Sequence, residues 1–416
     1  MNVEELVRDS LRELAAEEPA AGPGFADRVL TVRRRRRTRR LAAVAATTAA
    51  VVAVAVGVPL LDSGKGDARP AGVLEQNGIS AHPDQSPPRD LIAAGQSVLA
   101  AYYTVKTVPQ KDGRGIGVRT YWLLDPKTGK YKQDSRWSFV AVAPGLKTAA
   151  VLEQNLPAHR IGLLDLATGK VERWIPVAQG MGGLAFSYDG RRLVATTYDE
   201  NPDLREKVQL TKKDSKGRKV TVWVWGASFG DSSRSGFYAL DVASGQGSWS
   251  PLAPDRNINS RQDLAFSRTG ERVYAQVVGG KDGLQQFYDL KGDKVAAPAN
   301  ERYLRSDVSA RLSPNGTLAA LGLTKEVNGN PGRSYSSIRD PRTGKEITKV
   351  RGAELVAWAD DKRLIAWERV TSLHELYRGR LVLVTIGSDK VVPLSGVREP
   401  TENLDVQQWE PVFARR

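Results

Sequence analysis

The chain has 416 residues, 61 Lys plus Arg against 47 Asp plus Glu, a formal net charge of +14 and no cysteine. The missing cysteine excludes a disulfide scaffold, cysteine-ligated zinc, iron–sulfur clusters and thiolate catalysis, and three histidines (His82, His159, His374) leave little room for imidazole chemistry. At 41 % hydrophobic and 26 % charged, the composition is globular, with length for one large domain or two to three small ones.

A pI near 9.8 invites a nucleic-acid reading. The distribution of charge argues otherwise. Residues 1–61 hold ten basic and seven acidic side chains, net +3, and the other 355 residues carry a thin excess of +11. Only Arg33, Arg34, Arg35, Arg36, Arg37, Arg39 and Arg40 are concentrated, and they stand directly before an apolar run, where a juxtamembrane role explains them better than a DNA-binding arm. No nucleic-acid partner is expected.

In chain order, residues 1–40 read as a cytoplasmic leader. Val3, Leu6, Val7, Leu11 and Leu14 fall at helical spacing and make one apolar stripe, ended by Pro19 and Gly22-Pro23-Gly24. So short a helix is marginal alone in water and needs a surface, either the membrane face or a cytoplasmic protein. The leader resembles those of single-pass regulators of high-GC bacteria, membrane-bound anti-sigma factors among them. That resemblance implies a cytoplasmic protein partner, although the His/Cys pattern of the zinc-type members is absent.

Residues 41–61, LAAVAATTAAVVAVAVGVPLL, carry no charge. As a helix they span roughly 31 Å, the thickness of a hydrocarbon core. The arginine block on their N-terminal side predicts a single span with the N-terminus cytoplasmic and the rest extracytoplasmic. The rival reading is a cleaved signal peptide with Ala53-Val54-Ala55 at its end, against which the 40-residue leader counts. Residues 62–96, rich in Pro, Gly and polar side chains, read as a linker.

From 97 to 416 the chain repeats itself. One unit is a strand ending in a tight turn: LAFSYDGRRLVATT from Leu184, LAFSRTGERVYAQV from Leu264, ARLSPNGTLAALGL from Ala310, VAWADDKRLIAWE from Val356, and a decayed VAVAPGLKTAAVLE from Val140. The other is a strand, an Asp and a Gly turn: WLLDPKTGKY from Trp122, GLLDLATGKV from Gly162, YALDVASGQG from Tyr238, FYDLKGDKV from Phe287 and SIRDPRTGKEI from Ser337. Gly accepts the positive φ of a hairpin turn, and Asp can bond the turn's own amides. Two hairpins per repeat predict four-stranded antiparallel blades, hence an all-β, six-bladed β-propeller, or seven-bladed if the irregular ends build one more. Residues 403–414 are expected to return as a last strand and close the ring.

The pattern resembles the WD40-like repeats of TolB-type envelope proteins and prolyl-oligopeptidase propellers, carried by Phe186-Ser187-Tyr188-Asp189-Gly190, Leu312-Ser313-Pro314-Asn315-Gly316 and Leu164-Asp165-Leu166-Ala167-Thr168-Gly169-Lys170. The Gly-His and Trp-Asp marks of eukaryotic WD40 repeats are missing, as is room for TolB's additional N-terminal domain. The resemblance implies the β-propeller fold.

Residues 199–218 in the long third repeat read as a polar insertion. With Lys207, Lys212, Lys213, Lys216, Arg218, Trp223 and Trp225, this region is the candidate binding loop. Gly226-Ala227-Ser228-Phe229-Gly230 matches a nucleophile elbow, but a strand follows it where a helix is required. His374-Glu375 lacks a second His, and 199–203 lacks an EF-hand pattern. No catalytic residue, metal or cofactor is therefore expected. The reading is a non-enzymatic scaffold that binds a protein or an anionic envelope polymer, with a transmembrane signal transducer as the first alternative and an enzyme as the second.

Overall fold

The computed structural model describes residues 78–213, 218–227, 233–253, 261–276, 285–305, 308–326, 333–373, 376–399 and 407–416. The expected leader, with Val3 to Leu14 and the arginine block, and the expected span at 41–61 lie outside the described residues. The chain divides into two units, 1–66 and 67–416, and every described residue belongs to the second. Among them all regular structure is β-strand, and no helix is long and apolar enough to cross a membrane.

β1 (Ile79–Ser80) pairs with β2 (Ala93–Ala94), and β2 with the long β3 (Ser97–Pro109). β3 continues antiparallel to β4 (Gly115–Asp125), and β4 to β5 (Lys130–Asp134). A second meander runs through β6 (Trp137–Val142), β7 (Thr148–Glu153), β8 (Ala158–Asp165) and the first half of β9 (Lys170–Phe186). The second half of β9 opens the third meander by pairing with β10 (Arg192–Tyr198). A projecting hairpin, β11 (Leu204–Lys213) and β12 (Lys219–Ala227), then interrupts it before β13 (Arg234–Asp241) and β14 (Gly247–Pro251) complete it.

The fourth meander is β15 (Ala265–Phe266), β16 (Arg272–Gln276), β17 (Gln285–Asp289) and β18 (Lys294–Val295). The fifth is β19 (Ala319–Glu326), β20 (Ser334–Arg339) and β21 (Glu346–Arg351), with Leu312 bridged to Ala319 on its inner side. The sixth is β22 (Glu354–Trp358), β23 (Arg363–Leu373), β24 (Leu376–Thr385) and β25 (Val391–Pro393). Finally β26 (Glu410–Arg415) returns to β3, with Val412 opposite Ala101, and so supplies the first meander with its inner strand from the far end of the chain. Successive antiparallel meanders around one axis are the arrangement of a β-propeller.

The turns form for the reasons their residues dictate. In the first repeat unit Ser187 Oγ donates to Asp189 Oδ1 (2.6 Å) and accepts from Arg192 N (2.9 Å), while Gly190 takes φ +75°. Ser313 and Asn315 reproduce it, with Leu318 N donating to Ser313 Oγ at 3.0 Å. In the second unit the Asp caps its own turn: Asp165 Oδ1 accepts from Thr168 N, Asp241 Oδ1 from Ser244 N and Asp340 Oδ1 from Arg342 N, at 2.6–2.8 Å.

Ring closure is a packing event as well as a strand pairing. Trp409 meets Trp367 of the sixth meander at 5.2 Å between ring centroids and Tyr102 of the first at 5.7 Å. Together with Ile92, Leu99, Ile365 and Leu381 they form one buried cluster joining the two ends of the ring. Residues 78–96, assigned by composition to the linker, add strands to this assembly. Leu91, Ile92, Ala93 and Ala94 are buried, because a short apolar run inside a Pro-rich stretch is driven into the core like any other.

Candidate functional site

One stretch from each meander lines a central cavity of about 690 Å³, within residues 139–144, 184–188, 261–268, 309–314, 356–358 and 411–415. Five arginines face it, Arg119, Arg261, Arg268, Arg311 and Arg415, against two carboxylates, Asp263 and Glu301. Contacts sort these groups into two ends with different electrostatics.

At one end, Asp203 is held from two sides. Arg119 Nη2 donates to its Oδ1 at 2.9 Å, and Arg261 Nε and Nη2 donate to Oδ1 and Oδ2 at 2.9 and 2.8 Å. Burial alone would push the Asp203 carboxyl up, but the two guanidiniums overcome it and hold the group at about 2. Arg261 also donates to Asp263 Oδ2 and to the Gly182 carbonyl, and Tyr198 Oη donates to Asp263 Oδ1. The charges at this end are therefore used up among themselves.

Asp203 immediately precedes β11, so this ionic clamp fixes the root of the projecting hairpin at the cavity rim. β11 also pairs with β4, Leu204 opposite Ile116, which ties the hairpin to the first meander although it is inserted in the third. Along the hairpin, Lys207 stands opposite Trp225 and Gln209 opposite Trp223. Strand alternation therefore puts Lys207, Trp223 and Trp225 on one face. Lys207 Nζ lies 5.4 Å from the Trp225 ring centroid, and Trp225 packs at the base over Gly115. Trp223, one step further out, is 61 % exposed. Arg218 is exposed beside the tip; Lys212 and Lys213 belong to β11, and Lys216 lies outside the described residues.

The other end is built differently. The guanidinium carbon of Arg268 lies 3.1 Å from the Tyr188 ring centroid and that of Arg415 lies 3.3 Å from it. Two guanidiniums that close to one centroid must occupy opposite faces of the ring. Burial lowers the basicity of both, and for Arg268 the neighbouring Arg415 lowers it further. Arg268 Nη2 donates to the Pro314 carbonyl, but among the described residues neither guanidinium has a carboxylate within ion-pair distance. Glu301, whose charge acts on Arg268, is taken by Arg311 at 3.1 Å and by the Arg268 backbone N–H at 2.8 Å.

The sequence named Lys207, Trp223 and Trp225 as candidates of one inserted region, and the strand register puts all three on one face. It offered no signal for Asp203, which read as part of a solvated or oxygen-rich stretch and is instead a buried anion committed to two arginines. Nor did it mark Arg268 and Arg415, whose partner Tyr188 is remote from both. Ser228–Gly230 and His374-Glu375 lie outside the described residues. Among the described residues no group of three or more His, Asp or Glu side chains is placed to hold a metal ion.

No protein-family model and no curated protein matches the sequence. Among solved structures, TolB from Acinetobacter baumannii is similar at 16 % identity, covering 71 % of this chain and 67 % of that one, with a TM-score of 0.37. The β-propeller domain of the Trilobed protease from Pyrococcus furiosus is similar at 13 % identity, over 73 % of this chain and 84 % of that one, with a TM-score of 0.36. An acylaminoacyl peptidase from Pyrococcus horikoshii gives 14 % identity, 73 % and 47 % coverage and a TM-score of 0.36.

Proposed function

We propose that the chain is a single-pass membrane protein whose residues from 78 onward form an extracytoplasmic, six-bladed β-propeller. Its role is that of a non-enzymatic scaffold that binds a protein or an anionic polymer of the cell envelope. The observation that carries this reading is the β11–β12 hairpin, which holds an exposed Trp223 beside Lys207 on a root locked by Asp203. A rigidly rooted aromatic and basic ribbon is the kind of surface that grips a partner with little loss of conformational freedom.

Six blades are supported by the six stretches lining the cavity and by β26 completing the first meander. The anchor and its orientation rest on the sequence, through the arginine block and the uncharged run at 41–61. A scaffold rather than an enzyme is supported by the cavity's acids, Asp263 and Glu301, each of which is engaged by an arginine.

Immobilised polyphosphate tests the polymer arm, with the full-length chain kept in detergent. Retention at low salt should fall as ionic strength rises, and the variant K207A/R218A/W223A should be retained several-fold less. Retention that survives high ionic strength, or an unaffected hairpin variant, overturns the reading. The Val3 to Leu14 stripe supports the transducer alternative, and deleting residues 2–20 separates the two: a scaffold keeps its external binding, whereas a transducer loses its transcriptional response.

A further inference from the structure

We infer that the cavity end built from Arg268, Tyr188 and Arg415 is a binding site for a phosphoryl-type oxyanion. This site lies away from the Asp203 clamp and stands independently of the hairpin reading.

Two guanidiniums held on opposite faces of one phenol ring are like charges brought together while partly removed from water. Such a pair is unfavourable unless an anion joins it. Among the described residues no carboxylate reaches either guanidinium at ion-pair distance: Glu301 is taken by Arg311 and Asp189 by Ser187 Oγ and Arg191 N, so these acids act on the pair only through space. The contrast with the opposite end is the telling point. There, Arg119 and Arg261 share Asp203, and Arg261 also holds Asp263, so those charges are already neutralised by the fold.

The donor set fits a group with several oxygens. Tyr188, Arg268 and Arg415 all line the cavity, so one phenol hydroxyl and two guanidinium forks face the same space. Donors on both faces of one ring, with the phenol hydroxyl between them, suit a group whose several oxygens can reach more than one donor, as a phosphate monoester's three free oxygens can, better than the two of a carboxylate. The cavity, at about 690 Å³, leaves room behind that anchor for the rest of a small phosphorylated molecule or for a phosphoryl group pendant on a polymer.

Inorganic phosphate is the probe, with the full-length chain in detergent and sodium chloride at matched ionic strength as the control. Calorimetric titration should show one saturable site, and thermal unfolding should move upward with phosphate and not with chloride. R268Q and R415Q should each weaken phosphate binding by about tenfold or more, and Y188F, which keeps the ring and removes the hydroxyl, by less. Without phosphate, R268Q gives up its bond to the Pro314 carbonyl, whereas R415Q should unfold no earlier than the parent, since it relieves like-charge repulsion. That result separates a lost site from a lost fold.

Phosphate binding that equals chloride, acetate binding as tightly as phosphate, or R268Q/R415Q binding like the parent each overturns the proposal. Polyphosphate sorts the source. Retention lost in R268Q/R415Q assigns the site to a polymer's phosphoryl groups, whereas phosphate binding with arginine-independent polyphosphate retention assigns it to a small molecule. Loss confined to the hairpin variant bears on the hairpin alone.

Discussion

The Asp203 carboxylate is locked to the Arg119 guanidinium across 84 residues of chain, with Nη2 to Oδ1 at 2.9 Å and both side chains more than nine-tenths buried. A charge pair so deeply placed specifies position more than it adds stability. Here it positions the root of the β11–β12 hairpin.

Removing one partner should therefore cost much more than the pair contributes. D203N leaves Arg119 and Arg261 buried beside each other without their shared anion. The expected loss is about 3–5 kcal/mol, read as a lower urea midpoint. A loss below about 1 kcal/mol would mean that water or another group solvates the arginines.

Acid should unfold the ring in a defined window. The carboxyls of Asp165, Asp241 and Asp340 are lowered by hydrogen bonds from their own turns, and Asp203 is held at about 2 by its arginines against the pull of burial. A group with a depressed folded value stabilises fully above its unfolded value and loses that contribution as pH falls toward the folded one. Stability should thus be flat from neutral pH down to about 5, then fall toward about 2. Circular dichroism melts across that range measure it, and the D203N variant should lose the lowest part of the slope.

Closure by β26 carries a prediction of its own. W409A removes a buried indole packed against Trp367 and Tyr102, at a cost of about 3–5 kcal/mol. Deleting 407–416 removes the inner strand of the first meander altogether. Limited proteolysis should then cut within 97–134, while the parent resists.

The two hairpin tryptophans should behave oppositely. W223A, at an exposed position, should change stability by less than about 0.5 kcal/mol and reduce retention on the polyanion. W225A should destabilise by about 1–2 kcal/mol, because the ring covers Gly115 and carries Lys207. Urea titrations of both variants beside the retention assay separate the anchor from the contact.

What was legible in the sequence was local. Ser187-Tyr188-Asp189-Gly190 contains the hydroxyl, carboxylate and glycine that its turn uses, and Ser313-Pro314-Asn315-Gly316 the same with an amide oxygen, so the pattern could be read without knowing any neighbour. The closing strand was legible through Val412 and Phe413. The site was not. Asp203 depends on Arg119 and Arg261, 84 and 58 residues away, and nothing in the run Glu200-Asn201-Pro202-Asp203 separates a buried anion from solvated ones. The hairpin was half legible. Lysines made 199–218 look like a polar loop, yet Val208 and Leu210 alternate with them and face Val224 and Val222, which is enough to make a two-stranded ribbon.

The two ends of the described ring also touch. Arg416 Nη2 donates to the Gly78 carbonyl at 3.0 Å, and its Nε donates to the Gly95 carbonyl at 2.6 Å. For the propeller, then, the choice of first residue is a matter of bookkeeping. Joining 416 to 78 through a short Gly/Ser bridge and reopening the chain at the exposed turn around Gly387 should give a circular permutant with the parent's far-ultraviolet spectrum. In that permutant β26 and β3 are separated only by the bridge and residues 78–96, which carry β1 and β2, so a pairing that spans the parent ring becomes a local one.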